Sequence, residues 1–316
     1  MQVLTKYPGA PVINQSNPEA IQFLNTWYNT DNIFKGRSKK ISYENNYSNF
    51  SIKTSFNGPI MYVVDGNEKL VEPGTFLVIN KNIKYACYID SPEEVEDISL
   101  QFTNDTISDI FNGLSKTDKA LLDLPFTMDP FSVPIETISF VNEQFGNILT
   151  QMAQPRLDTL HRDELKTQLV NLYFTNYHRE QVGQFKQIDN ENAATKFEIF
   201  KRVHTAKDFL HSNYTKQIDL NQVARAACIS PSHLIRKFNE VLKTTPYQYL
   251  RKLRLEKAVY LLKKSNLPVE QITTSLGFEC PSSFIRTFRQ TYHTTPNAFR
   301  KQFKITTQPE EEAALL

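Results

Sequence analysis

Hydrophobic positions along this chain change period once, from two to about 3.6, and the change divides it. Over residues 38–102 the apolar residues fall in short β-prone runs: Phe50–Phe56, Ile60–Val64, Glu68–Val71, Thr75–Ile79, Tyr85–Ile89 and Ile98–Phe102. Asn57-Gly58-Pro59, Asp65-Gly66-Asn67 and Glu72-Pro73-Gly74 separate several of them. Strands of about five residues at that spacing predict an antiparallel sandwich or barrel. Asp65-Gly66 predicts a two-residue hairpin. Ile107–Leu114 is a short helical run, followed by a loop around Pro125, Pro130 and Pro134. Helical stripes then take over. Ile135, Ile138, Val141, Phe145, Ile148, Leu149 and Met152 form one, Pro155 ends it, and Leu157, Leu160, Leu165, Leu169, Leu172 and Tyr173 form another. Together they predict a helical hairpin whose apolar faces pack on the barrel or form a dimer interface. A further helix runs from Phe197 to about His211, with Ile199, Val203, Ala206 and Leu210 facing inward.

The densest pattern lies between Leu220 and Arg300, where one arrangement occurs twice. The first copy reads Ser230-Pro-Ser-His-Leu-Ile-Arg-Lys-Phe238 and then Thr244-Thr-Pro246. The second reads Cys280-Pro-Ser-Ser-Phe-Ile-Arg-Thr-Phe288 and then Thr294-Thr-Pro296. Each copy predicts a short helix (Leu220 to Ala227, Val269 to Leu276), a turn, and a second helix opened by proline at its first position, with Ser230 as N-cap. Leu234 with Phe238, and Phe284 with Phe288, make one apolar stripe at i, i+4. The other face carries Ser232, His233, Arg236 and Asn239 in the first copy. In the second it carries Ser282, Ser283, Arg286 and Arg289. Small polar residues at a helix start, with arginine one turn later, suit a helix entering a DNA major groove by its N-terminal end. Tyr247 to Lys264 predicts a mostly buried helix joining the copies. The plain alternative is a bundle of amphipathic helices with solvated arginines; the duplicated register argues against it.

Charge strengthens the DNA reading. The net +2 conceals an asymmetry: residues 197–304 hold 19 Lys+Arg against 7 Asp+Glu, leaving 17 against 27 in the rest of the chain. A concentrated cation on a mildly acidic body fits a phosphate-backbone binder. The three cysteines, Cys87, Cys228 and Cys280, lie outside any metal-binding spacing and imply a reducing compartment. Neither a signal core nor an apolar run of about 18 residues occurs, so a cytoplasmic, non-membrane protein is expected. No Walker loop, GxGxxG or GxSxG occurs. His204 and His211 stand seven apart, too far to chelate, and are expected to be satisfied or exposed.

The duplicated stretch resembles the C-terminal DNA-binding domain of the AraC/XylS family of bacterial transcription regulators. The resemblance rests on Val223-Ala224, Ser230, Leu234, Arg236, Phe238, Pro246, Arg254-Leu255, Ala258 and Leu261-Leu262. It continues through Ile272, Gly277-Phe278, Ser283-Phe284, Arg286, Phe288, Pro296 and Arg300. It includes an extra turn residue in the second copy. Lys243 and His293 stand where that family often has glycine; a positive φ there would cost on the order of 1 kcal/mol each. Thr273 stands where alanine is usual.

The run from Asp65 to Ile79 resembles the central hairpins of a small cupin barrel. A metal-dependent cupin enzyme needs several histidines, and this chain has none before His161. An enzyme is therefore not expected, nor a metal or cofactor; a cupin-type enzyme with an appended DNA-binding domain is the weaker alternative.

The expected architecture is α+β: a cupin-like antiparallel barrel with a helical hairpin, then an all-α domain with two helix-turn-helix motifs. Residues 1–180 are expected to sense and dimerise, 181–196 to be a polar linker, 197–304 to bind DNA, and 305–316 to be a disordered tail. Residues 1–25, with Pro8, Pro11 and Pro18, read as an extended arm before Trp27, which plugs a core or stacks on a ligand. The resemblance implies a transcription regulator, most often an activator. Its implied partners are double-stranded DNA, a possible small-molecule effector, a second copy in a homodimer, and RNA polymerase.

Overall fold

The computed structural model describes residues 2–4, 29–117, 138–154, 157–189 and 192–306. Residues 5–25 of the expected arm, Trp27, the proline loop of 118–137, Pro155 and the tail after Thr306 lie outside the described residues, whereas Gln2–Leu4 of the arm form a strand. The chain divides into two compact units, Met1–Asp208 and Phe209–Leu316.

The first unit is a nearly closed, mainly antiparallel barrel with helices on one outer face. Its strands are β1 (Gln2–Leu4), β2 (Asn32–Tyr47), β3 (Phe50–Ser55), β4 (Ile60–Val64), β5 (Asn67–Val71), β6 (Thr75–Ile79), β7 (Lys84–Phe102) and β8 (Ile138–Phe140). The path runs β1-β2-β7-β3-β6-β8, with β4 joining β7 and carrying β5. The Asp65-Gly66 hairpin forms as expected: Val64 pairs with Asn67, and both turn residues have positive φ, the geometry that matches strand twist. Gly74 also has positive φ, and the turn before it closes through Thr75 N–H donating to Glu72 O at 2.9 Å.

Three elements differ from the sequence reading. Tyr85–Ile89 and Ile98–Phe102 are parts of one long strand, β7, and β2 is a sixteen-residue strand of mostly polar residues. These two pair along both their halves, with register shifts at Ser38/Lys40 and Tyr43/Asn46. Bulges of this kind bend strands around a barrel. Ile138 and Phe140 belong to β8, paired with β6, so the helical stripe begins only after Asn142, which caps its first turn.

The helices are α1 (Asn104–Thr117), α2 (Glu143–Met152), α3 (Thr159–Leu172), a π-helical segment (Tyr173–His178), α4 (Arg179–Lys186) and α5 (Ala193–Asn213). Alternation on β3 explains how two cores share one sheet. Phe50 and Ile52 join Ile98, Leu100 and Phe102 under the helices, where Phe145, Ile148, Leu149, Met152, Leu165, Leu169 and Tyr173 cover them. Tyr62, Val64, Leu77, Ile79, Cys87 and Ile89 fill the barrel interior. Among the described residues the hairpin stripes face this core, while Leu160, 82% exposed, is turned outside it.

The stretch 181–196, expected to be a polar linker, is largely helical where it is described, in α4 and the start of α5. Val182 and Ile188 are buried and Phe185 packs edge-on against Phe200. That sparse apolar spacing was outweighed in the sequence by glutamine and asparagine. Among the described residues no helix is long and apolar enough to cross a membrane.

Two histidines are buried without compensation, contrary to the expectation for His204. His178 lies against Phe111, Tyr173 and Phe174, and burial lowers its pKa to about 4. His204 stacks on Phe200, its ring nitrogens find no partner among the described residues, and burial lowers it well below its ordinary value. Both stay neutral in the fold while their unfolded counterparts bind protons below about pH 6.5. Their stabilisation is therefore complete above that pH and is lost as pH falls toward the folded values. Denaturant unfolding followed by circular dichroism is expected to lose about 1 kcal/mol per histidine between pH 7.5 and 5.5. His178→Phe removes its share of that slope.

Candidate nucleic-acid interface

The second unit contains α6 (Leu220–Ala226), α7 (Pro231–Leu242), α8 (Pro246–Lys264), α9 (Val269–Ser275), α10 (Pro281–Tyr292) and α11 (Pro296–Thr306). Local chemistry sets each boundary. Asp219 and Thr245 form capping boxes with Gln222 and Gln248, opening α6 and α8. Ser230 Oγ accepts from His233 N–H at 3.4 Å above Pro231. Such caps satisfy amides that the helix leaves unpaired.

The two copies close their turns alike. Ile229 N–H donates to Ala224 O at 3.0 Å, and Phe278 N–H donates to Thr273 O at 3.2 Å. The left-handed residue of the turn is Cys228 in the first copy and Gly277 in the second. A Cβ at Gly277 would sit 2.7 Å from Thr215 O and 2.8 Å from Arg254 Nη2, so glycine is required there by space as well as by φ. Thr273, in the alanine position, is buried with its hydroxyl donating to Val269 O at 2.8 Å.

The apolar stripes fall inward as expected. Leu234, Phe238, Phe284 and Phe288 are fully buried; Phe284 and Phe288 pack edge-on, as do Phe288 and Phe299. Two arginines of the family pattern are structural. Arg254 donates to Tyr214 O at 2.8 Å and Lys216 O at 2.7 Å and lies over the Phe278 ring. Arg300 donates to Leu267 O at 2.6 Å.

Against that frame, Ser232, Arg236 and Asn239 on α7, and Ser282, Arg286 and Arg289 on α10, are exposed. His233 and Ser283 are half-buried at the first turns. Ser282, Arg286 and Arg289, with Ile285 and Gln290, line one shallow depression on α10. The arrangement gives each helix a hydroxyl at its N-terminal end and a guanidinium one turn on. Those donors match guanine O6 and N7 and the phosphate oxygens. Cys280 stands at the N-cap of α10; its thiol lies 3.1 Å from Ser282 Oγ, and hydrogen bonding to that hydroxyl and to the Ser283 amide holds its pKa below the ordinary value.

The sequence reading missed two residues on this face. Ile235 (42% exposed) and Ile285 (39%) precede Arg236 and Arg286. One residue past the buried Leu234 or Phe284 is a 100° rotation off the stripe, so the signal was present in both copies.

Lys243 and His293 close α7 and α10 in the left-handed region, with φ 53° and 57°. Lys243→Gly and His293→Gly are each expected to raise unfolding free energy by about 1 kcal/mol, read as a rise in thermal midpoint with DNA binding unchanged.

A family described as a helix-turn-helix domain matches residues 223–302. The chain is 26% identical over 158 residues to the HTH-type transcriptional regulator AlkR of Acinetobacter baylyi, half of this chain and 49% of that protein. It is 29% identical over 103 residues to the lactose operon transcription activator of Staphylococcus xylosus, covering 33% of this chain and 37% of that protein. It is 30% identical over 100 residues to the HTH-type regulator YdeC of Bacillus subtilis, covering 32% and 34%. The chain thus spans between a third and a half of these relatives. Among solved structures, the C-terminal domain of AraT, a response regulator from Geobacillus stearothermophilus, is 25% identical with TM-score 0.32, covering 36% of this chain and 93% of that one. ToxT of Vibrio cholerae is 12% identical with TM-score 0.37, covering 86% and 97%.

Proposed function

We propose, from the premise that the C-terminal region carries an AraC-type helix-turn-helix domain, that this chain is a sequence-specific DNA-binding transcription regulator. Helices α7 and α10 enter successive major grooves. Arg236 and Arg286 read bases; Ser232, Ser282 and Ser283 sit at the groove edge; His233, Asn239 and Arg289 contact bases or backbone beside them. Ile235 and Ile285 join this surface as apolar contacts of the kind that favour a thymine methyl. The observation that carries the reading is the same donor pattern exposed at the same register of two capped helices, in the basic third of the chain.

The N-terminal barrel, within residues 1–180, is the sensory part of this reading and takes a small organic effector without metal. The reading assigns DNA binding to residues 197–304, places the protein in the cytoplasm and gives it no enzymatic activity. A homodimer and a contact with RNA polymerase are carried over from the family resemblance, and activation is the outcome it favours.

Competition between a selected duplex and random duplex at fixed salt tests the claim. A regulator retains a specificity ratio of at least about 10³. Equal affinity for both duplexes, with the same salt dependence, would show charge-driven architectural binding instead.

A further inference from the structure

The faces that α7 and α10 turn outward match position for position, with one exception. The exposed residues of α7 are Ser232, Ile235, Arg236 and Asn239, at i, i+3, i+4 and i+7. Helix α10 exposes Ser282, Ile285, Arg286 and Arg289 at the same places, with Pro281, Gln290 and Thr291 beside them. That spacing puts the four on one face of a helix, away from the buried Leu234 and Phe238 in α7 and from Phe284 and Phe288 in α10. It is also the spacing at which a recognition helix lying in a major groove presents successive side chains to base edges. The first three members are the same in both copies. The fourth is asparagine in α7 and arginine in α10.

The fold does not use these polar groups. Among the described residues the side chains of Arg236, Asn239, Arg286 and Arg289 have no hydrogen-bond or ion-pair partner, whereas Arg254 and Arg300 give theirs to main-chain carbonyls. An asparagine amide offers one donor and one acceptor, which fit adenine N7 and N6. An arginine offers two donors, which fit guanine O6 and N7. Exchanging the bases sets acceptor against acceptor at the asparagine and donor against donor at the arginine. Two helices alike at all four places could take each other's block of DNA at little cost. An unlike fourth residue penalises that exchange.

Given the regulator reading above, we propose that Asn239 and Arg289 read unlike bases, adenine under α7 and guanine under α10. The two operator blocks otherwise share a thymine, met by isoleucine, and a guanine, met by the common arginine. The one difference fixes which helix takes which block.

The test is selection by the full-length chain from a pool of randomised duplexes. Affinities are then measured for the selected duplex and for the same duplex with its two discriminating base pairs exchanged. Wild type is expected to select blocks that share a thymine and a guanine and differ at one position, adenine in one block and guanine in the other. It is expected to bind the exchanged duplex at least about fivefold more weakly. Asn239→Arg is expected to select guanine at that position in both blocks, and Arg289→Asn adenine in both. The double variant, Asn239→Arg with Arg289→Asn, is expected to prefer the exchanged duplex to the original. Variants that change affinity equally for every duplex, with the selected bases unchanged, would place both side chains on phosphates. That result would overturn the inference and leave the two-helix reading standing. Two selected blocks that share neither base would do the same. No enrichment over random sequence would overturn both.

Discussion

Asp208→Ala is expected to lower the unfolding free energy of the N-terminal unit by about 3–5 kcal/mol, the loss that follows when one partner of a buried ion pair is removed. Asp208 Oδ2 accepts from Lys69 Nζ, and Oδ1 accepts from the Ile138 amide at 3.2 Å. Both side chains are almost fully buried. The variant therefore leaves an ammonium without its counter-charge and a strand amide without its acceptor, two penalties that solvent cannot offset. Lys69→Ala is expected to cost a comparable amount by stranding the carboxylate. The double variant Lys69→Met with Asp208→Leu is expected to recover most of the loss, since apolar residues of similar volume replace such pairs well. Denaturant midpoints of wild type, Lys69→Met, Asp208→Leu and the double variant form the cycle. Additive losses in the double variant would remove the pairing argument.

Arg236→Ala and Arg286→Ala are each expected to weaken binding to a selected duplex by about 1–3 kcal/mol, five-fold to more than a hundred-fold. The losses are expected to be roughly additive, because the residues sit on separate helices and share no partner. Neither change touches the cores: both side chains are exposed, and the buried neighbours Leu234, Phe238, Phe284 and Phe288 are unchanged. Unfolding midpoints should accordingly stay within about 0.5 kcal/mol of wild type. Binding to random duplex is expected to fall far less. That difference separates a base-reading arginine from one that only touches phosphate.

Legibility in the sequence followed locality. In the C-terminal unit, proline at the first helical position, capping residues and i, i+4 stripes are all local signals, and helices α6 to α10 appear within a residue or two of where they predict. The left-handed turns at Lys243 and His293 were readable through the family resemblance, which puts glycine at both places. The barrel was readable only where a turn dipeptide marks it. Strand β2 carries few apolar residues, and its pairing with β7 joins residues as far apart as Asn32 and Gln101 and no nearer than Tyr47 and Lys84, so nothing local announces it. The polar run 90–97 reads as a break for the same reason. Residues 91–94 lie between two stretches of β2–β7 pairing, Val95 opposite Ser38 and Asp90 opposite Lys40. From Phe145 onward the helical stripes were correctly seen, but a stripe does not say what covers it. Only the packed structure shows Phe145, Leu165 and Leu169 closing the outer core. The buried Lys53 of β3 was invisible for a similar reason: in a strand where both faces are buried, period two cannot tell which buried residue is polar.

The central claim is that two equivalent helices read two stretches of DNA. Its most direct test is selection by the full-length protein from a pool of randomised duplexes, repeated with Arg236→Ala and Arg286→Ala. Two conserved blocks about 10–10.5 base pairs apart are expected, centre to centre, as for helices entering successive major grooves. Each variant is expected to lose base preference in one block only. A single block, no enrichment over random sequence, or equal loss of preference in both blocks from either variant would contradict the account.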